Sequence, residues 1–133
     1  MILLDTHALL WFAADDSRLG SRANRAADAA LRKDEVLVSA ISFWELAMLQ
    51  KKARVHLDGT ADAFRTDARA QGIIEVPIDG AIGIAAAMLD DFHGDPADRL
   101  IVASALAYNA TLVTADALIL GWRGPLRRHD ARA

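Results

Sequence analysis

The chain of 133 residues has no cysteine. That excludes a disulfide framework, a thiolate metal site and a cysteine nucleophile, and it suits a reducing cytoplasm. No basic segment precedes the first apolar run, and Asp5 interrupts that run too early for a signal peptide. No apolar stretch is long enough to span a bilayer, so no membrane association is expected. The chain also lacks internal repeats, linkers and low-complexity segments, and it lacks an excess of positive charge, with a formal net charge of −3. A generic nucleic-acid binder would usually be basic. An acidic balance weighs less, however, where the acids are gathered to bind cations, because bound cations reverse the local field. What is present is a 53% hydrophobic fraction, which excludes a disordered chain and suits one domain over residues 1–133.

Strand-like and helix-like segments alternate along it. Ile2-Leu3-Leu4 reads as a short buried strand, followed by a helix over residues 6–14. Ala23, Ala26, Ala27, Ala30 and Leu31 follow helical spacing, and Val36-Leu37-Val38 is a second strand. Residues 41–52 read as a helix closing on Lys51 and Lys52, cations suited to a helix C-terminus. Thr60 to Ala70 is a further helix, and 73–78 a strand kept short or at an edge by Pro77. Residues 81–89 are helical despite Gly83, Asp95-Pro96 opens a helix through Tyr108, and Thr111–Thr114 is a fourth strand before a short helix over 117–120. The basic segment 123–133 reads as a last strand followed by a frayed end. This alternation predicts βαβ units and an α/β fold with a parallel sheet.

Several acids stand where helices begin, and each alone is explained as a cap. Asp5 or Thr6 can cap the first helix, and Glu45 lies at capping-box spacing from Ser42. Asp95 precedes a first-turn proline, with Asp98 at the third helical position, and Asp116 precedes the helix at 117–120. Capping treats one acid at a time. In an open parallel sheet the C-terminal strand ends share one rim, where ligands bind. Asp5 ends the first strand, Asp116 follows the fourth by two residues, and Glu45 and Asp98 lie in early helical turns, sharing faces with apolar residues. Like charges in a partly desolvated crevice raise one another's pKa unless a cation neutralises them. Oxygen donors with no zinc-spaced histidine pair favour Mg²⁺ or Mn²⁺. Such an ion points to phosphate chemistry by direct attack of water, since no serine sits in an obvious nucleophile setting.

The segments MILLDTHALLWF, SAISFWELAMLQKK, HGDPADRLIVASAL and TLVTAD, in that order, resemble the PIN domain of VapC-type toxins over residues 1 to about 122. The resemblance implies an αβα sandwich around a central, mostly parallel sheet of four to five strands. It implies a cytoplasmic, Mg²⁺- or Mn²⁺-dependent endoribonuclease, the toxin of a toxin–antitoxin pair, inhibited by its cognate antitoxin and dimeric or part of a hetero-oligomer. Carried over by position, the site acids are Asp5, Glu45, Asp98 and Asp116. Asp5 and Asp98 would be the foremost metal ligands. Glu45 would ligate the ion or orient its water, and Asp116 would complete the site through water or a second ion. Thr6 and Thr114 would support the ligands by hydrogen bonds, with Thr6 the better cap of the first helix, and Asp95 would be a cap alone. Two departures from the family's pattern stand out: Ala97 replaces a bulky apolar residue, and the last strand is irregular.

Other residues carry open alternatives. Arg99 either pairs with a site carboxylate, reaches an RNA phosphate or forms a structural ion pair. Lys51, Lys52 and Arg54 either solvate a helix end or contact an RNA backbone. Arg123, Arg127, Arg128 and Arg132 read as a disordered tail sooner than an RNA track. Of the scattered histidines His7, His56, His93 and His129, none is expected to be a ligand, and His7, beside Asp5, is the one to test. Trp11, Phe12, Phe43 and Trp44 read mainly as core, any exposed part suiting an antitoxin helix or a dimer contact. An aspartyl-phosphate phosphatase would need a second acid where His7 stands. The remaining rival is a catalytically weak module that binds RNA or protein.

Overall fold

The computed structural model describes residues 1–133. Five strands form one sheet, β1 (Ile2–Leu4), β2 (Val36–Ser39), β3 (Ile74–Val76), β4 (Thr111–Thr114) and β5 (Arg128–Asp130), in the order β3-β2-β1-β4-β5. Every neighbouring pair is parallel, and Leu4 is flanked by Val38 on one side and Val113 on the other. Parallel strands need crossovers, and helices supply them: α1 (Thr6–Ala13), α2 (Ser21–Arg32), α3 (Ala40–Lys51), α4 (Ala61–Ala70), α5 (Gly80–Ala87), α6 (Pro96–Ala107) and α7 (Ala117–Leu120). The chain builds outward from β1 through β2 to β3, then returns to place β4 and β5 on the opposite side of β1. The β1/β4 junction is therefore the point where the sheet reverses direction, and a crevice opens there between loops leaving in opposite directions.

The three-layer arrangement follows from the pleat. Successive strand side chains face opposite sides, so Leu4, Val36, Val38 and Val113 pack with Ala8, Leu9, Ala23 and Leu46 in one cluster. Leu3, Leu37, Val76 and Leu112 pack with Ile101, Val102, Ala105 and Ile119 in the other. Burial on both faces explains why the central strands are continuous apolar runs with no polar alternation. The expected α/β sandwich is present, with five strands, all parallel.

Three local expectations are corrected. Asp5, not Thr6, caps α1, its Oδ1 accepting from the Ala8 amide at 2.9 Å. The first turn of α3 starts one residue earlier than its apolar pattern suggests, so Ser39 is its cap. Ser42 then lies in the helix interior, fully buried, and the capping box with Glu45 does not form. The basic segment forms the expected last strand, but its end is not frayed. β5 pairs with β4, Ala131 is completely buried, and its amide donates to the Thr114 carbonyl at 2.8 Å. Arg128, half-buried, donates to the carbonyls of Ile119, Leu120, Trp122, Gly124 and Leu126, closing the end of α7 and the loop after it. Arginines can brace backbone as well as bind ligands, and composition alone does not separate these uses.

Gly20 lets this last segment lie against the start of α2. Its amide donates to the Ala131 carbonyl at 2.8 Å, and the Arg22 amide donates to the Ala133 carbonyl at 3.1 Å. A Cβ at position 20 would stand 2.2 Å from the Ala133 carbonyl carbon and 2.5 Å from that of Arg132, both backbone atoms with little freedom to retreat. Gly20→Ala should therefore lower the urea midpoint, by an amount corresponding to about 1–3 kcal/mol of overpacking. An unchanged midpoint would mean that residues 131–133 are not held there.

Candidate metal centre

At the β1/β4 crevice a cleft of ≈ 650 Å³ is lined by five carboxylates, Asp5, Glu45, Asp95, Asp98 and Asp116. They come from the end of β1, the second turn of α3, the start of α6 and the loop after β4. The four acids expected at a site are thus brought together, joined by Asp95.

Asp5 leaves β1 with its amide bonded to the Val113 carbonyl at 3.1 Å, which ties its position to the adjacent strand. It is 8% exposed. Its oxygens divide the work: Oδ1 caps α1, while Oδ2 accepts from the Thr114 hydroxyl at 2.5 Å. Capping and facing the cleft are therefore compatible. Burial raises the Asp5 carboxyl above the usual carboxylate range, although the Thr114 hydroxyl, the Ala8 amide and His7 pull the other way. Thr114 is fully buried and its oxygen also accepts from the Asp116 amide at 3.0 Å, so one hydroxyl couples two acids. On the other side Thr6 donates to Glu45 Oε1 and lies 3.0 Å from Ser42 Oγ. Glu45 is raised chiefly by burial, then by Asp95 and Asp5, against the Thr6 hydrogen bond.

Asp98 is raised as well. Burial first, then Asp95, Asp116, Glu45 and Asp5, push its carboxyl from 3.8 to about 7. Asp95 and Asp116 do cap their helices, through the amides of Ala97 and Asp98 and of Leu118 and Ile119. No lysine or arginine pairs with any of the five acids; the only basic group in ion-pair range of one is His93, whose Nε2 lies 3.3 Å from Asp98 Oδ2. His93, Asp98 and Asp116 each present a ligand atom, and these lie within 4.8 Å of one another. Crowded, partly desolvated carboxylates without a protein counter-charge fit a divalent cation, and a neighbouring imidazole is compatible with Mn²⁺ as well as Mg²⁺.

Arg99 forms neither the site-carboxylate pair nor the structural ion pair expected of it. It meets no carboxylate but donates to the carbonyls of His93 at 2.9 Å, Phe92 at 2.7 Å and Ala86 at 3.0 Å, fastening the loop that carries His93 and Asp95. Lys51, Lys52 and Arg54 lie at the opposite end of α3 from the cleft and do not line it. Trp11 is buried, whereas Trp44, beside Glu45, is 57% exposed. Two residues ranked low in the sequence reach the site: His93, not expected to be a ligand, lies two residues before the cap of α6 and next to Asp98, and Arg132, read as tail sooner than RNA contact, lines the cleft.

A topological-switch crevice carrying an acid after β1, another after β4 and three from α3 and the start of α6 defines a class of α/β domain with an acidic site at the strand ends. The PIN-domain family model matches residues 2–119, and the chain belongs to that family, in its VapC type. The chain is 36% identical over 125 residues, 93% of each chain, to the ribonuclease VapC22 of Mycobacterium tuberculosis. In fold it is similar to a toxin–antitoxin complex from Klebsiella pneumoniae (TM-score 0.65, 19% identity, 98% of each chain). It is also similar to VapBC2 from Rickettsia felis bound to a DNA fragment from its promoter (TM-score 0.67, 18% identity, 97% of this chain and 98% of that one).

The shift at Asp98 gives a pH test. The folded protein holds this proton up to about 7, whereas an unfolded aspartate releases it near 3.8. Between these values the folded state binds more protons, so its stability falls as pH rises through the window. In chelator, thermal melts of Asp98→Asn compared with the parent should show the parent losing more stability between pH 5 and pH 8. Parallel pH profiles would contradict the shift.

Proposed function

We propose that the protein is the toxin of a toxin–antitoxin pair, an endoribonuclease that hydrolyses RNA phosphodiester bonds with Mg²⁺ or Mn²⁺. The observation that carries this is the convergence of five acids on one crevice with no lysine or arginine neutralising them. The similarity to a ribonuclease over nearly the whole chain supports it.

Asp5, Asp98 and Asp116 would hold the ion, with Glu45 ligating it or orienting its water, and His93 beside Asp98. When bound, the ion supplies positive charge that acidifies a water and stabilises charge on the phosphate oxygens. The remaining work falls to the protein. Thr114 and Thr6 fix the rotamers of Asp5 and Glu45, so the ligand atoms are set before substrate arrives. Glu45, with its raised proton affinity, is suited to take the proton from attacking water. Arg99 holds the loop before α6 and thereby positions Asp98 indirectly.

A cognate antitoxin is the partner that this reading requires, and the solved complexes of similar fold support it. Exposed Trp44 and Leu118 give it apolar surface near the acids, and a second copy of the chain is the other expected partner. No helix is long and apolar enough to cross a membrane.

The test is cleavage of a structured RNA. Cleavage should need Mg²⁺ or Mn²⁺, stop in EDTA and fall to background in Asp5→Asn, which still offers a capping oxygen to Ala8 and should melt close to the parent. Cleavage that persists in EDTA would remove the metal mechanism; absence of cleavage in every condition would favour a binding module. Thr114→Val keeps shape but removes the hydroxyl that links Asp5 to Asp116, and should lower metal affinity or activity about 10–100-fold. Unchanged Mn²⁺ affinity and unchanged cleavage in that variant would show that the hydroxyl does not set the ligands.

A further inference from the structure

Among the residues lining the acidic cleft, only one carries a permanent positive charge, Arg132. Its place is set by backbone on both sides. The Ala131 amide is bonded to the Thr114 carbonyl, the Arg132 amide donates to Asp130 Oδ1 at 2.9 Å, and the Ala131 and Ala133 carbonyls accept from Gly20 and Arg22. The side chain, by contrast, is scarcely engaged. Nη1 makes one long contact, 3.4 Å to the Ala115 carbonyl, and no carboxylate lies within ion-pair distance.

That combination separates Arg132 from Arg99, Arg128 and Arg18. Arg99 and Arg128 have their donors occupied by carbonyls, and Arg18 is paired with Asp16. A guanidinium placed to neutralise the cleft acids would sit within ion-pair range of one of them. Arg132 stands beside them with nearly all of its five N–H donors free. The fork of donors matches two oxygens of a phosphate, and its charge offsets the repulsion that an acidic cleft exerts on an approaching polyanion.

We propose that Arg132 holds a backbone phosphate of the RNA strand as it enters the cleft. This rests on the ribonuclease reading. The phosphate sits between the guanidinium and the carboxylate cluster, which registers the strand over the acids without reading its bases.

Binding of a fluorescein-labelled single-stranded oligouridylate, with Ca²⁺ as the divalent ion, tests it by anisotropy across a salt series. Arg132→Ala should weaken binding about ten-fold and flatten the slope of log affinity against log salt by about 0.7, the value for one phosphate contact on a single strand. Arg132→Lys should restore most of the slope but only part of the affinity. Mn²⁺ affinity, measured by calorimetry without RNA, should be the same in Arg132→Ala as in the parent. If the parent binds the oligonucleotide and Arg132→Ala binds with the same affinity and slope, the proposal fails while the ribonuclease reading stands. If Mn²⁺ affinity changes with RNA affinity, Arg132 acts on the acids instead, and the proposal also fails. A parent that does not bind this oligonucleotide overturns the proposal, while the ribonuclease reading is decided by the cleavage of structured RNA.

Discussion

Mutual repulsion among carboxylates at the β1/β4 junction is the constraint to which the surrounding structure responds. The sheet order makes the crevice, because loops diverge where β1 meets β4. The strands are buried on both faces, so an acid at a strand end is drawn partly out of water with them. Asp98, raised to about 7, records first its burial and then the gathering of several such groups with no fixed cation among them. A site in this condition favours either protons or a divalent ion, and near neutral pH the two compete for the same oxygens.

The supports of the acids are buried hydroxyls and backbone braces, not opposing charges. Thr114 is completely buried between Asp5 and Asp116, and Thr6 joins α1 to Glu45 on α3. Neutral donors hold a carboxylate's orientation while leaving its charge available to an ion, which a lysine or arginine partner would consume. The nearby arginines are kept off the acids in the same spirit: Arg99 fastens the loop before α6, and Arg128 fastens the one after α7. Capping and facing the cleft prove to be joint uses of one residue. Asp5, Asp95 and Asp116 each commit an oxygen to helix amides and still line the cleft.

The fold was legible because two periodicities and a few punctuating residues carry it. Ile2–Leu4 and Val36–Val38 are short and wholly apolar, as strands covered on both faces must be, and Asp95-Pro96 marks a helix start by chemistry specific to that position. The gathering of Asp5, Glu45, Asp98 and Asp116 followed from strand ends sharing a rim. Several details did not, because they depend on pairwise contacts between distant segments. Nothing within 123–133 indicates that Gly20, more than a hundred positions away, admits its backbone. Arg99 and Arg128 look like ligand-binding cations until their carbonyl partners are known, and Ser42 next to Glu45 fits a capping box until the helix is seen to start at Ala40. His93 gained significance only when the loop folded it back on Asp98.

The proposed metal centre requires protons and a divalent ion to compete at Asp98, and that competition is its most direct test. Mn²⁺ titrated into the protein at pH 6.5, in buffers of different ionisation enthalpy, measures protons released on binding together with affinity. The expected result is saturable binding with net proton release that falls in Asp98→Asn, Asp5 and Glu45 supplying the remainder. Binding without proton release, or no saturable binding in the parent, would contradict a metal centre built on these carboxylates.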